Sequence, residues 1–168
     1  MSITSYKDYL VVGWYEGLIT VFTLGNFAHH KTFKAHKSKI FSVISTDDML
    51  ITAAKEKKVK FWINFNEEYK VEHKAYISWL AVTDQKTLLF TADTNGVVIC
   101  TNIHSRYSVK YDEFDDKTIV SMAAMEDTLV IMFRDHFIVI NYQDYVDLDF
   151  YKYIRNHKKQ TAKTSAEY

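Results

Sequence analysis

Met49-Leu50-Ile51-Thr52-Ala53-Ala54-Lys55-Glu56-Lys57-Lys58-Val59-Lys60-Phe61-Trp62-Ile63 reads as strand, turn, strand. Residues 49–54 and 59–63 are short, apolar and partly alternating, the pattern of strands buried on one or both faces. The charged tetrapeptide 55–58 between them reads as a polar hairpin turn. The same arrangement recurs along the chain. Leu10, Leu50, Leu89 and Leu129 are 40, 39 and 40 residues apart. Six residues beyond each leucine stands a short polar turn former: Glu16, Glu56, Asn95 and Asp135. Three further on come Ile19, Val59, Val98 and Ile138, which the period places at one point of a core strand. A fixed period of this length means one supersecondary unit copied four times.

The first and third turns, Tyr15-Glu16-Gly17-Leu18 and Thr94-Asn95-Gly96-Val97, carry glycine, which takes positive φ without steric penalty. A strand precedes the later pairs at 40–45, 77–82 and 119–124, and the first unit can begin at Met1. A more polar strand follows each pair, at 28–33, 69–73, 108–111 and 146–150. Four strands per unit of this length is the arithmetic of a propeller blade. The expected fold is all-β, a propeller or partial propeller of about four four-stranded blades. Blade limits fall near 1–34, 35–72, 73–112 and 113–150, with a basic C-terminal tail over 151–168.

The units resemble WD repeats. That family places Gly-His before the first strand, Ser or Thr in the second, Asp in the turn and Trp at the end of the third. The second unit holds Ala35-His36, Thr52, Glu56 and Trp62 at these places, with Ala for Gly and Glu for Asp. The third holds His73, Thr91 and Asn95, but Thr101 replaces the tryptophan. The first has Glu16 and Phe22. The fourth keeps Asp135 and places Asn141 at the tryptophan position. The resemblance spans residues 1–150 and implies a structural hydrogen-bond network of histidine, hydroxyl, carboxylate and indole, complete only in the second blade.

At 168 residues, 48% of them hydrophobic, the chain is long enough for one buried core. No apolar run reaches the roughly 18 residues that span a bilayer. The N-terminus lacks a basic-then-apolar segment, so no secretory signal is expected. The single cysteine, Cys100, excludes an internal disulfide, fits a reducing compartment, and falls inside a buried strand as a small core residue. An intracellular location, cytoplasmic or nuclear, follows as an expectation.

Zero net charge hides an asymmetry. Residues 151–168 carry five basic residues, Lys152, Arg155, Lys158, Lys159 and Lys163, and one Glu, for +4; the other 150 carry 16 basic and 20 acidic, for −4. The segment reads as a solvated tail, or as a basic arm giving salt-sensitive contact with RNA or DNA. Catalytic readings find little purchase. No His-Glu-x-x-His, Cys-x-x-Cys or phosphate-cradling glycine loop occurs, so no metal, cofactor or small-molecule substrate is expected. His29 and His30 are adjacent on a strand and point to opposite faces. Carboxylates recurring in hairpin turns are turn stabilisers.

Trp62, Phe22 and Trp79 are expected in the core. Trp14 and Tyr15 flank the first turn carboxylate, where the family resemblance implies a partner-binding rim; the matching places hold Lys55, Phe133 and Arg134 among others. Aromatic and arginine residues are common interface anchors. Four blades are fewer than the usual ring of the family, and an open stack leaves an apolar face at each end. The sequence thus points to a non-catalytic protein–protein interaction scaffold, a subunit of a larger complex, completed by another copy of itself or by a different subunit. The alternative is a nucleoprotein-assembly subunit reaching nucleic acid through the tail.

Overall fold

A computed structural model describes residues 1–111, 114, 117–125, 127–141 and 160–162. Its strands are β1 (Ser2–Tyr6), β2 (Tyr9–Gly13), β3 (Leu18–Thr23), β4 (His29–Lys34), β5 (Ile40–Ser45), β6 (Leu50–Ala54), β7 (Lys58–Ile63) and β8 (Asn66–Glu72) in the first half. The second half has β9 (Ile77–Val82), β10 (Leu88–Asp93), β11 (Val98–Asn102), β12 (Ser108–Tyr111), β13 (Ser121–Met125), β14 (Thr128–Met132), β15 (Phe137–Asn141) and β16 (Gln160–Ala162). They form four antiparallel sheets, β1–β4, β5–β8, β9–β12 and β13–β16, each built from strands consecutive in sequence. The chain divides into two compact units, residues 1–77 and 78–168, described here separately.

The first unit packs sheet one on sheet two. Tyr6, Val11, Ile19 and Val21 of sheet one meet Ile40, Val43, Leu50, Ala54 and Trp62 of sheet two. A Cβ at Gly13 would lie 2.6 Å from a Val43 methyl and 2.8 Å from an Ile40 methyl, so glycine sets how closely the two sheets approach. The Tyr6 hydroxyl donates to Asp48 O at 2.7 Å and accepts from Asn64 N at 3.2 Å, which satisfies a buried phenol between the sheets. In the second unit, Phe90, Ala92, Val98 and Cys100 of sheet three face Met122, Leu129, Ile131 and Ile138 of sheet four. Cys100 is buried as expected, and burial pushes its thiol well above the ordinary range.

Three hairpins share one geometry. Trp14 N bonds Leu18 O and Asp93 N bonds Val97 O, each across a three-residue loop; Ala54 pairs with Lys58 across another. The third loop residue takes positive φ in each: Gly17 at 79°, Lys57 at 70° and Gly96 at 82°. The fourth hairpin is one residue shorter, with Phe133 N donating to His136 O at 2.8 Å. Leu10 pairs with Phe22, Leu50 with Trp62 and Leu89 with Thr101, each twelve residues on, whereas Leu129 pairs with Ile140, eleven on.

A one-residue change of register exchanges the faces of a strand. Ile19, Val59, Val98 and Ile138 are all buried, at 0, 0, 2 and 3% exposure. The first three lie on the face opposite their repeat leucine, but Ile138 lies on the same face as Leu129. The tryptophan place in the fourth sheet is accordingly held by Ile140, packed against the core, and not by Asn141. The outer strand of that sheet is Gln160–Ala162, so three residues of the segment read as a tail pair with β15. The strand expected at 146–150 lies outside the described residues. Among those described, no helix is long and apolar enough to cross a membrane.

Candidate functional site

The second sheet carries a buried polar chain. Gly17 O accepts the amides of Ala35 and His36, both at 3.0 Å, so the first hairpin loop seats the histidine that opens the next sheet. A Cβ on Gly17 would fall 2.2 Å from His36 O, which leaves glycine alone suited to that place. His36 is 2% exposed, and its Nδ1 lies 2.7 Å from Glu56 Oε1 while Nε2 lies 2.6 Å from Thr52 Oγ1. Trp62 Nε1 donates to the same Thr52 oxygen at 2.9 Å, and Glu56 Oε2 accepts from Lys37 N at 2.9 Å.

The donors fix the direction of the chain. Indole donates only, so the Thr52 hydroxyl proton is free to go to His36 Nε2, and His36 Nδ1–H goes to the carboxylate. A neutral imidazole satisfies every partner. Burial holds the His36 pKa below its ordinary value against the pull of Glu56. The Glu56 carboxyl is also held low: burial raises it, but the hydrogen bonds from His36 and Lys37 outweigh that. The chain ties β6, the hairpin loop before β7, the residue opening the sheet and the end of β7 to one another.

The third sheet is arranged differently. His73 is buried and its amide donates to Lys57 O at 2.9 Å; Thr91 Oγ1 donates to Ile99 O at 3.3 Å, and Thr101 Oγ1 lies 2.9 Å from Ser108 Oγ. The turn is held by Asp93, not Asn95. Asp93 Oδ1 accepts from Asn95 N at 3.0 Å and Val97 N at 3.2 Å. An aspartate opening a polar turn was the available signal. In the fourth sheet the exposed Asp135 accepts from its half-buried neighbour His136 at 2.7 Å, which holds the Asp135 carboxyl below its usual range.

The expected rim separates into surface and core. Tyr15 is 60% and Trp14 38% exposed; Lys55 and Arg134 are exposed as well. Phe133 is 5% exposed, stacked on His136 at 4.7 Å and tilted against Phe114, so it is a core residue and leaves the rim set. Trp79, expected in the core, is 39% exposed; its indole donates to Met122 O at 2.8 Å and the rest of the ring meets solvent. Lys152, Arg155, Lys158, Lys159 and Lys163 lie outside the described residues. Among the described residues no cluster of three or more His, Cys, Asp or Glu could hold a metal ion.

No family model and no curated protein matches this chain. Solved structures do. The computationally designed protein Ika4 is similar at 17% identity and a TM-score of 0.74, over 83% of this chain and 89% of its own. The designed protein Ika8 is similar at 18% identity and 0.73, over 84% of this chain but 45% of its own. A structure of a humanized mutant of the Chaetomium thermophilum Polycomb Repressive Complex 2, bound to the inhibitor GSK126, contains a chain similar at 12% and 0.67, over 82% of this chain and 37% of that one. The chain thus spans less than half of the last two. At these identities the likeness shows the fold, an all-β set of four antiparallel sheets resembling part of a WD-repeat-like propeller. Propellers of this kind typically serve as protein-interaction scaffolds and are usually non-catalytic, and a fold by itself assigns no specific function.

Proposed function

We propose that the chain is a non-catalytic protein–protein interaction module, a partial propeller completed by a second copy of itself, with sheet four of one copy packed on sheet one of the other. The carrying observation is an equivalence of faces. The outer face of sheet one bears Ile3, Leu10, Val12 and Phe22, with Ile3 56% exposed. Leu10 and Phe22 occupy the places that Leu50 and Trp62 hold in sheet two, and that face of sheet two is the one covered by sheet one. The outer face of sheet four bears Met125, Val130, Met132, Phe137 and Val139, with Met125 56% and Met132 47% exposed. Val130 stands where Val11 of sheet one reaches toward sheet two. Each has the apolar composition of a blade-packing face, and each carries the residues that an adjoining sheet of this repeat would meet.

An exposed antiparallel sheet normally alternates apolar inside with polar outside, and these two faces depart from that rule. Lengths agree with a second copy, since the chain covers 89% of Ika4 and 45% of Ika8. Two faces used once each by both copies close the assembly, whereas a single unclosed contact would propagate into chains. Sedimentation equilibrium at low micromolar concentration tests this: the expected species has twice the 19.7 kDa chain mass, and Ile3→Glu or Met132→Glu releases it to monomer. A compact, heat-stable wild-type monomer would sink the reading.

A further inference from the structure

Beyond that assembly, we propose that the loop-bearing end of the first unit binds single-stranded nucleic acid through a row of alternating lysine and tyrosine side chains. Four residues form the row through direct contacts. Lys39 Nζ lies 4.0 Å from the centre of the Tyr15 ring. Lys55 N donates to Lys39 O at 2.9 Å, which sets the two lysines side by side. Lys55 Nζ lies 5.4 Å from the Tyr76 ring centre. Tyr15 is 60% and Tyr76 49% exposed, with Lys39 over the Tyr15 ring and both Lys55 and Lys57, the latter at 5.8 Å, near the Tyr76 ring, so each ring keeps surface open to solvent.

The surrounding charge is predominantly positive. Residues 34–39 (Lys-Ala-His-Lys-Ser-Lys) and 55–58 (Lys-Glu-Lys-Lys) supply six lysines against Glu56, which is bonded to His36 and to Lys37 N, and against Glu16 beside Tyr15. A cleft of about 270 Å³ opens beside these segments, lined by Lys34, Lys37, Lys58, Lys60 and Lys70 with Glu56 and Glu67; Glu67 pairs with Lys60 and Glu72 with Lys58. At the other end of these two sheets the turns carry Lys7-Asp8 and Asp47-Asp48, of opposite balance. The basic surface is therefore confined to one end. A positive groove flanked by open aromatic faces is the arrangement that tracks a single strand: lysines neutralise phosphates, and bases stack on rings without regard to sequence. An acidic polypeptide would use the lysines but would gain nothing from the open rings.

The test is fluorescence anisotropy of a short fluorescein-labelled oligo(dT) on the full chain, titrated between about 50 and 200 mM salt. Lys39 and Lys55 together with their neighbours Lys37 and Lys57, four lysines in all, give a log–log salt slope of about −2.8, a loss of about fiftyfold across that range. Lys39→Gln with Lys55→Gln should cut the slope to about −1.4. Tyr15→Leu with Tyr76→Leu keeps the charge, so the slope should hold while affinity drops at least about tenfold through lost stacking. Circular dichroism and melting curves confirm that these surface variants fold. Three results would each overturn the proposal: no saturable binding at the lowest salt, binding of poly-glutamate as tight as oligo(dT) with no effect of the tyrosine pair, or binding abolished by substituting the five basic residues of 151–168 and indifferent to the row.

Discussion

Thr52→Val is the sharpest test of the buried chain in sheet two, because valine keeps the shape of threonine and removes only the oxygen. That oxygen is fully buried and serves two partners, His36 Nε2 at 2.6 Å and Trp62 Nε1 at 2.9 Å. Neither partner can turn to water, since His36 is 2% and Trp62 4% exposed. A buried polar group left without its bond costs about 1–3 kcal/mol, so two of them cost about 2–6 kcal/mol. The added methyl returns about 0.8 kcal/mol of transfer free energy, which leaves a net loss of about 1–5 kcal/mol. Urea melts at one fixed protein concentration read this directly, provided the slope m is unchanged. Trp62→Phe in the same background removes one of the two stranded groups, so the double variant should lose less than the sum of the singles, by about 1 kcal/mol. A Thr52→Val midpoint within about 0.5 kcal/mol of wild type, the scale of an ordinary surface substitution, would refute the idea that these bonds hold the blade.

Acid should destabilise the protein in two steps. His36 has a folded pKa below its ordinary 6.5, so the unfolded chain binds more protons and stability falls as pH drops below about 6.5 toward the folded value. Glu56, also depressed in the fold, adds a second loss below its ordinary 4.5; urea midpoints should hold level above about pH 6.5 and decline from there through both windows, and Glu56→Gln should flatten the part below 4.5. Lys57→Gly should stabilise by about 0.5–1 kcal/mol, measured by urea melts, because it removes a non-glycine residue at φ 70° at some cost in unfolded-state entropy. Gly17→Ala should destabilise by about 2–5 kcal/mol in the same assay, combining left-handed strain with a Cβ 2.2 Å from His36 O.

Hairpins and sheet order were legible because both are written locally. Alternation with period two names the strands, and glycine or a carboxylate in a short polar break names the turns. Burial of Ile19, Val59 and Val98 follows from that pattern. Ile138 is buried for another reason, and the sequence hid it: the fourth hairpin loop is one residue shorter, and a gap-free alignment passes through that change unmarked. The same shift moves the tryptophan place from Asn141 to Ile140. Phe133 was misread because rim position and core position are adjacent on a strand end. Its counterparts Ala54 and Asp93 are buried too, and Trp14 is the exposed member of the set. Trp14 lies at the end of the sheet-one face that carries Leu10 and Val12, and its indole donates to Thr20 Oγ1 at 3.0 Å.

The divergence among the four repeats follows a rule of polar satisfaction. In sheet two the place two residues past the repeat leucine holds Thr52, and its diagonal partner is Trp62, hydroxyl beneath indole. Sheet one holds Val12 and Phe22 at those places, sheet four Ile131 and Ile140, and sheet three Thr91 and Thr101. No sheet keeps the indole without the hydroxyl that receives it: sheets one and four replace both with apolar residues, and sheet three keeps the hydroxyl, which donates to Ile99 O. A half-satisfied buried network is worse than an apolar core, so the indole stands only where the hydroxyl receives it. The apolar replacements fall in sheets one and four. In sheet four, Ile131 and Ile140 pack on the face turned to sheet three, so apolar contact within the unit stands in for the polar chain there. Restoring the indole–hydroxyl pair in sheet one would require both Val12→Thr and Phe22→Trp, and the single substitution Phe22→Trp should leave the indole N–H without the acceptor that Thr52 supplies in sheet two.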